Sequence, residues 1–469
     1  MRVYTSVITQ STAKIVADVH TNSLGSWADR YLWQSVSNAP LVFFRVLFGA
    51  MMAFSVIRFS ANNWIEEFYI QPVFYFPYYG LEWVRPLPDW GMYLIFTLIF
   101  LSSLGICVGF FYRISTILFF LAFTYVELID KTYYLNHYYF VSIIAFWLIW
   151  LPAHRRFSLD ALREPALFSR KTALLHINVL RWQTGLVYCY AGLAKINSDW
   201  LLRTMPLRLW LPANGHLLGM GILLKQSWVA YVFSWFGMLY DTTIPFFLSV
   251  GKTRVWAYGT VIIFHGLTAL LFPIGIFPWV MIFSALIFFP AHQQEEWLRK
   301  VENLFGFPQW ADVQFVQRHS SPKFLFFGIL LALQLLLPWR YLLYPGSVFW
   351  NEEGYRFSWR VMLMEKAGTV NFRITDPTTG HSMMVDNRIY ITPQQEKMMA
   401  TQPDMLLQFA HHLDNVFAEK GIDDPVVTAD AFVTLNGRRS RRFVDPNIDL
   451  SEQLLNLEHR EWILPYEEK

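Results

Sequence analysis

Nine apolar segments, most of them long enough to cross a lipid bilayer, dominate the first three-quarters of this chain. A hydrocarbon core about 30 Å thick requires roughly 20 apolar residues in a helix. The segments lie at 41–59, 91–111, 114–129, 138–151, 175–194, 228–250, 255–272, 277–289 and 324–343. The seventh and eighth are interrupted by Pro273 and Pro278, so they are compatible with two crossings or with a re-entrant pair.

Composition agrees with a membrane protein and excludes several other classes. Of the 469 residues, 54% are hydrophobic and only 16% are charged, whereas soluble domains carry about 25% charged residues. The formal net charge of +3 is too small for a protein that neutralises many nucleic-acid phosphates. The two cysteines, Cys107 and Cys189, lie in apolar runs and cannot supply a disulfide framework or a cysteine zinc site.

Positive charges in the short connections give the predicted bundle an orientation, because cytoplasmic loops are enriched in Lys and Arg. The connection after the second segment holds Arg113, and the one after the fourth holds Arg155, Arg156, Arg163, Arg170 and Lys171. The connection after the sixth segment holds Lys252 and Arg254, and the one after the eighth holds Arg299, Lys300, Arg318 and Lys323. Even-numbered segments are therefore expected to end in the cytoplasm. This places the amino terminus in the cytoplasm and everything after the ninth segment outside.

From about residue 344 the pattern becomes that of a soluble domain. Alternating apolar residues predict strands at 357–364 and 370–374, separated from an amphipathic helix at 404–419 by a turn at 376–380. Asn436-Gly437 predicts a hairpin. The predicted fold is an α-helical integral membrane bundle of about nine transmembrane helices, residues 1–343, followed by an extracytoplasmic, β-rich α+β domain, residues 344–469.

Ionisable residues at membrane depth are the best candidates for function, because each costs at least a few kcal/mol there. Lys195 closes the fifth segment and His137 opens the fourth, so the topology places both at the outer boundary. An amine among apolar residues loses hydration, which disfavours its charged form, and a neutral lysine can act as a general base. The alternative is a lysine that reaches the interface and a structural interfacial histidine.

The remaining buried polar residues allow structural interpretations. His265 is compatible with a hydrogen-bonded core histidine or with a ligand contact. Arg45, Arg181 and Asp241 lie deeper, and pairing with one another is a structural interpretation of all three. The sequence has neither the His-Glu-x-x-His pair of zinc enzymes nor the Gly-x-Ser-x-Gly turn of hydrolases, and no metal site is predicted.

Short motifs spread along the chain share the pattern of one enzyme family. They are Leu87-Pro88-Asp89-Trp90; Leu128-Ile129-Asp130-Lys131-Thr132 with Asn136-His137; Ala191-Gly192 with Lys195 and Asp199-Trp200; Gly354-Tyr355-Arg356-Phe357-Ser358-Trp359; and Phe443-Val444-Asp445-Pro446. Together they resemble the vitamin K-dependent gamma-glutamyl carboxylase family, whose membrane part is called the HTTM domain. The resemblance runs from about residue 39 to residue 465 and is that of a prokaryotic-type homologue.

The resemblance implies an integral-membrane peptidyl-glutamate 4-carboxylase, a lyase. Such an enzyme uses reduced vitamin K, O2 and CO2 to convert glutamate to gamma-carboxyglutamate while forming vitamin K epoxide, without a metal. Lys195 matches the base that deprotonates the hydroquinone, and His137 matches the histidine that assists the carbanion step. The expected substrate-binding residues are Tyr355, Trp359, Asn136, His265 and Arg442.

The expected partners are the lipid bilayer and a glutamate-containing peptide or protein, with no nucleic acid, and the expected location is a bacterial inner membrane. One departure leaves the activity open. Animal members carry a basic, histidine-containing stretch after the position of Trp359, whereas residues 362–366 keep only one cation. A quinol epoxidase without efficient peptide carboxylation is therefore an alternative, and a non-catalytic lipid-binding or transport protein is another. The sequence has no internal repeat typical of transporters.

Overall fold

The computed structural model describes residues 31–214, 216, 221–308, 310 and 321–466. Most of these residues are helical. The α-helices are α1 Ala39–Ala61, α2 Trp64–Tyr69, α3 Asp89–Val108, α4 Tyr112–Ile129, α5 Asn136–Trp150, α6 Leu159–Arg163, α7 Leu174–Ala194, α8 Ser198–Leu201, α9 Leu207–Ala213, α10 Gly221–Leu224, α11 Ser227–Ser249, α12 Arg254–Leu271, α13 Phe277–Ala285, α14 Ala291–Leu304, α15 Ser321–Leu336, α16 Val348–Asn351, α17 Pro393–Met399 and α18 Pro403–Glu419. The strands are β1 Ser35–Ser37, β2 Lys171–Ala173, β3 Lys366–Thr375, β4 Ser382–Met384, β5 Val426–Leu435 and β6 Arg441–Arg442.

A helix lies at each of the nine predicted apolar segments, but only some of these helices have the length and composition of a membrane span. Five qualify: Ala39–Ala61, Asp89–Val108, Tyr112–Ile129, Arg254–Leu271 and Leu325–Leu343. Helix α7 is long but contains buried Asn178, Gln183 and Thr184, which face the protein interior. The apolar stretch Phe277–Phe288 is short. The protein is thus a helical membrane protein, and the count of nine crossings stays a prediction.

The carboxy-terminal part is built around one antiparallel sheet with the strand order β4-β3-β5-β6. Strand β3 pairs with β5 along its whole length, from Lys366 opposite Leu435 to Thr375 opposite Val426. Alternate residues of β3, Val370, Phe372 and Ile374, are buried and share a core with helix α18. The predicted amphipathic helix, the turn at Asp376–Gly380 and the Asn436-Gly437 hairpin are all found.

The strand predicted at 357–364 is wrong. Phe357, Trp359 and Met362 adopt φ values of 60°, 58° and 53°. These are left-handed conformations that interrupt an extended chain, so the alternation of apolar residues there does not produce a strand. Instead, the first long strand begins at Lys366.

Contacts across the junction hold the sheet domain against the helical part. The Lys131 amine lies 2.7 Å from the Asp404 carboxylate, which is also 2.7 Å from the Arg356 guanidinium. Burial would raise the pKa of Asp404, but Arg356, Lys131 and Arg460 hold it well below its ordinary value. Burial lowers the pKa of Lys131 to about 8 despite the contact with Asp404, since Lys131 is the more deeply buried partner.

Hydrogen bonds also connect the helical part to the sheet domain, and no disulfide does. Gln395 donates to the Asp130 carboxylate at 2.8 Å, and Asn436 donates to Asp199 at 2.7 Å. Cys107 and Cys189 are both free. Polar contacts and shared apolar packing therefore join the two parts of the chain.

Candidate active site

Helices α7 and α11 come into backbone contact at the end of α7, and this contact fixes the position of Lys195. A Cβ atom on Gly192 would lie 2.5 Å from the Thr242 backbone nitrogen, so only glycine permits this approach. Lys195 follows Gly192 by about one helical turn, and Asp241 precedes Thr242 directly. The close packing thus brings the two side chains together.

The Lys195 amine forms a buried ion pair. Its Nζ atom lies 2.7 Å from Oδ2 of Asp241 and donates to the Ala191 carbonyl at 3.1 Å. The side chains of Lys195 and Asp241 are only 7% and 8% exposed. Nζ also lies 5.4 Å from the ring centroid of Trp200. At this distance the amine and the carboxylate can share one proton.

An apolar cavity of about 210 Å³ adjoins this pair. Its walls come from helices α7, α9, α11, α12 and α13, and from the segment that follows Trp359. Besides Lys195 and Asp241 the lining includes Val187, Tyr188, Ala191, Trp200, Trp210, Phe233, Phe236, Gly237, Phe264, His265, Phe272, Phe277, Met281, Val361 and Met362. A cavity of this composition excludes water and suits a lipophilic ring system.

His265 reaches the same cavity from α12. Its Nε2 atom lies 3.0 Å from the Tyr188 hydroxyl, while its buried Nδ1 atom has no hydrogen-bond partner among the described residues. His265 is thus a hydrogen-bonded core histidine that also lines the cavity, and its contact with a ligand stays a prediction. The free ring nitrogen is available to a bound molecule.

His137 also contacts the Phe277 ring, but it is not among the residues that line the cavity. The rings of His137 and His265 are each 5.8 Å from that of Phe277, which lines the cavity. The His137 side chain is buried, and its Nε2 atom has no partner among the described residues. The Arg58 guanidinium lies over the ring of Trp64, 4.9 Å from its centroid, and is close enough to Tyr138 and His137 to act on both electrostatically. No carboxylate pairs with Arg58 in the part of the chain that the structure describes.

Two of the expected substrate-binding residues, Tyr355 and Trp359, belong to the strained segment beside this region, and a third, Asn136 at the start of α5, hydrogen-bonds to it. Asn136 donates to the Arg360 carbonyl at 3.1 Å, and the Tyr355 hydroxyl lies 3.4 Å from the same oxygen. Trp359 is fully buried and stacks on Tyr139 with 4.9 Å between ring centroids. These residues shape and anchor the segment, whose next residues, Val361 and Met362, line the cavity.

The remaining expected residue, Arg442, is not brought to the cavity. It lies in β6, where it pairs with Asp430 at 3.1 Å, and its side chain is 44% exposed. Arg442 therefore lies on a solvent-facing surface of the sheet.

The expected pairing of Arg45, Arg181 and Asp241 is wrong. Arg45 donates to the carbonyls of Ile106 and Cys107, and Arg181 donates to that of Ile287. Backbone carbonyls near helix ends accept the hydrogen bonds of these two guanidinium groups. Asp241 therefore pairs with Lys195 instead. The sequence signal for this pair was the presence of one acid and one amine in neighbouring apolar helices.

Comparison with protein families accounts for most of the chain. Residues 33–297 match the HTTM domain, and residues 319–469 match the lumenal domain of vitamin K-dependent gamma-carboxylase. The chain belongs to the vitamin K-dependent gamma-carboxylase family. No solved structure matches the chain. Within the described residues, no group of three or more His, Cys, Asp or Glu side chains is placed to hold a metal ion.

Proposed function

We propose that this carboxylase-family protein couples oxygenation of reduced vitamin K to its epoxide with CO2-dependent carboxylation of glutamate side chains. The observation that carries the proposal is a lysine amine held by a carboxylate at one wall of an apolar, aromatic cavity. When bound, the hydroquinone with O2 supplies a base strong enough to remove a carbon-bound proton.

Lys195 has the position expected of the group that takes a proton from a quinol hydroxyl. Its pairing with Asp241 supports this role, because the proton can reside on the carboxylate while the amine stays free to accept another. His265 would bind a quinol oxygen through its free Nδ1 atom. The aromatic walls would keep water from the reacting centre.

His137 and Arg58 would serve the glutamate side of the reaction. A glutamate carboxylate needs a cation, and Arg58 lies beside His137 without an acidic partner among the described residues. His137 would then contact the region of the glutamate γ carbon next to Phe277. Tyr355, Trp359 and Asn136 would hold the segment that separates peptide from cavity, and Arg442 would contribute to a peptide surface outside the cavity.

A second candidate is a quinol epoxidase with little peptide carboxylation, and one observation favours it. Lys366 is the one cation in residues 362–366, where animal members carry a basic stretch. Its amine lies 2.8 Å from Glu352 and also donates to the carbonyls of Trp350 and Thr401. Lys366 is therefore occupied and cannot bind a substrate carboxylate.

The cellular arrangement forms part of the proposal. Residues 1–343 would form the membrane domain of a bacterial inner-membrane protein with a cytoplasmic amino terminus. Residues 344–469 would form the extracytoplasmic domain, on the side from which glutamate-containing proteins approach.

The test is an assay of the purified full-length protein in detergent with reduced vitamin K and O2. Epoxide is measured with and without labelled bicarbonate and a glutamyl peptide. Lys195→Ala is compared with Lys225→Ala, a matched change at an exposed lysine. Label incorporated in step with Lys195-dependent epoxide supports the carboxylase, and epoxide without label supports the epoxidase. Absence of epoxide from folded protein, or full activity of Lys195→Ala, contradicts both.

A further inference from the structure

A second cavity, of about 300 Å³, lies in the membrane part between helices α4, α5 and α15. None of the residues proposed for the quinol site lines it. Its lining includes Glu127, Thr124, Tyr139, Gln334 and Phe357. We propose that this cavity binds a zwitterionic phospholipid with an ammonium head group, such as phosphatidylethanolamine.

Glu127 is the reason that the cavity needs a ligand with a positive charge or a strong hydrogen-bond donor. Its carboxyl makes no ion pair or hydrogen bond with any other described residue. The Thr124 hydroxyl nearby is also buried without a partner. A carboxyl group without a partner in an apolar setting is ionised only at a cost, and an ammonium group that donates a hydrogen bond to it removes that cost. An acidic ligand such as a substrate glutamate would not remove it.

Arg340 supplies the complementary positive charge for a phosphate. Its guanidinium lies 5.8 Å from the ring centroid of Phe357, a lining residue, and donates to the Arg356 carbonyl at 2.6 Å. No carboxylate pairs with Arg340 in the described residues. Glu127 in the cavity lining and Arg340 beside the lining residue Phe357 therefore offer one carboxyl and one guanidinium group without an ion-pair partner among the described residues, which matches the two charged groups of a zwitterionic head group.

The depth of the polar and apolar groups agrees with the orientation of a lipid in a bilayer. Glu127 lies two residues before the end of α4, near the carboxy-terminal domain, whereas Phe120 lies about 10 Å deeper along the same helix. Phe146 lies about 15 Å from the start of α5. Leu333, which also lines the cavity, is 55% exposed on the outer face of α15, where acyl chains would pass.

The experiment measures lipid binding to the purified full-length protein by native mass spectrometry, so it does not depend on catalysis. Phosphatidylethanolamine is compared with phosphatidylcholine of identical chains, which lacks N–H donors. We expect at least fivefold tighter binding of phosphatidylethanolamine, with the preference abolished by Glu127→Gln. We expect Arg340→Gln to weaken both lipids at least fivefold. Exposed Glu82→Gln and Arg85→Gln are the matched controls and should change neither.

Leu333→Trp provides a second variant, because it narrows the opening without removing a charge and lies on an exposed surface. It should weaken phosphatidylethanolamine binding at least threefold. Equal affinity for the two lipids, or a preference retained in Glu127→Gln, would overturn the assignment. Displacement of the lipid by a reduced isoprenoid naphthoquinone in a Glu127-dependent manner would also overturn it, since the cavity would then be a quinol site.

Discussion

Replacing Lys195 with Met should separate the structural role of its ion pair from its chemical role. At 2.7 Å and an effective dielectric constant of about 20, the attraction between Lys195 and Asp241 is about 6 kcal/mol. Desolvation offsets part of this attraction, and removal of one partner of a buried pair typically costs about 3–5 kcal/mol, because the other charge stays buried and unpaired. We expect Lys195→Met to lower the free energy of unfolding by that amount. Loss of a general base should lower epoxide formation by about 100- to 10,000-fold.

The double variant Lys195→Met with Asp241→Asn distinguishes the two effects. It should regain most of the lost stability, since the unpaired carboxylate is gone, while epoxide formation stays low. Stability is measured by denaturant unfolding in detergent, and epoxide by chromatography per unit of folded protein.

The Lys366–Glu352 pair is a matched control for this experiment. It has a distance of 2.8 Å, and its side chains are 4% and 8% exposed, close to the values of the Lys195 pair. Lys366→Met should therefore destabilise the protein to a similar extent but leave epoxide formation per folded molecule intact. A Lys195→Met protein as stable as the wild type would refute the energetic reasoning. Wild-type epoxide formation by that variant, or activity restored in the double variant, would refute the assignment of the base.

Three further outcomes follow from the arrangement around the cavity and the domain junction. His137→Ala should retain epoxide formation but lose most carboxylation, and the ratio of labelled peptide to epoxide measures this uncoupling; a fall of both together would contradict it. Arg58→Gln should raise the KM for a glutamyl peptide at least tenfold with little change in the KM for reduced vitamin K, and steady-state kinetics test this. The pKa of Asp404 is held below its ordinary value of about 3.9, so its contribution to stability is present above about pH 4 and is lost as the pH falls further. Unfolding measured between about pH 6 and pH 3 should therefore show an acid-dependent loss that Asp404→Asn reduces.

The apolar helices and the regular part of the sheet domain could be predicted because their patterns are local. Helix α18 illustrates this, since the apolar positions Leu406, Phe409 and Leu413 recur at helical spacing and are all buried. The strand predicted at 357–364 fails for the opposite reason. Three non-glycine residues there adopt left-handed conformations that are sustained by contacts with distant residues, such as the stacking of Trp359 on Tyr139. No local pattern encodes such contacts.

The candidate site was predictable in its residue types but not in its pairings. Lys195 and His137 stand out in the sequence because ionisable groups are costly at membrane depth, and both are buried. The partner of Lys195 could not be assigned, because Arg45 and Arg181 were equally available to Asp241 in the sequence. What decides among them is the backbone contact at Gly192 together with the free carbonyls that satisfy the two arginines.

The pairing of Lys195 with Asp241 resolves a conflict in the chemistry that we propose. A lone ammonium in an apolar cavity would be costly, whereas a lone neutral amine would gain little from its surroundings and would be held loosely. A lysine and a carboxylate that share one proton are neutral together whichever atom carries it. Transfer of that proton to Asp241 therefore frees the amine without changing the net charge of the cavity. The apolar walls, which would penalise any separated charge, then favour a base that operates only as part of a pair.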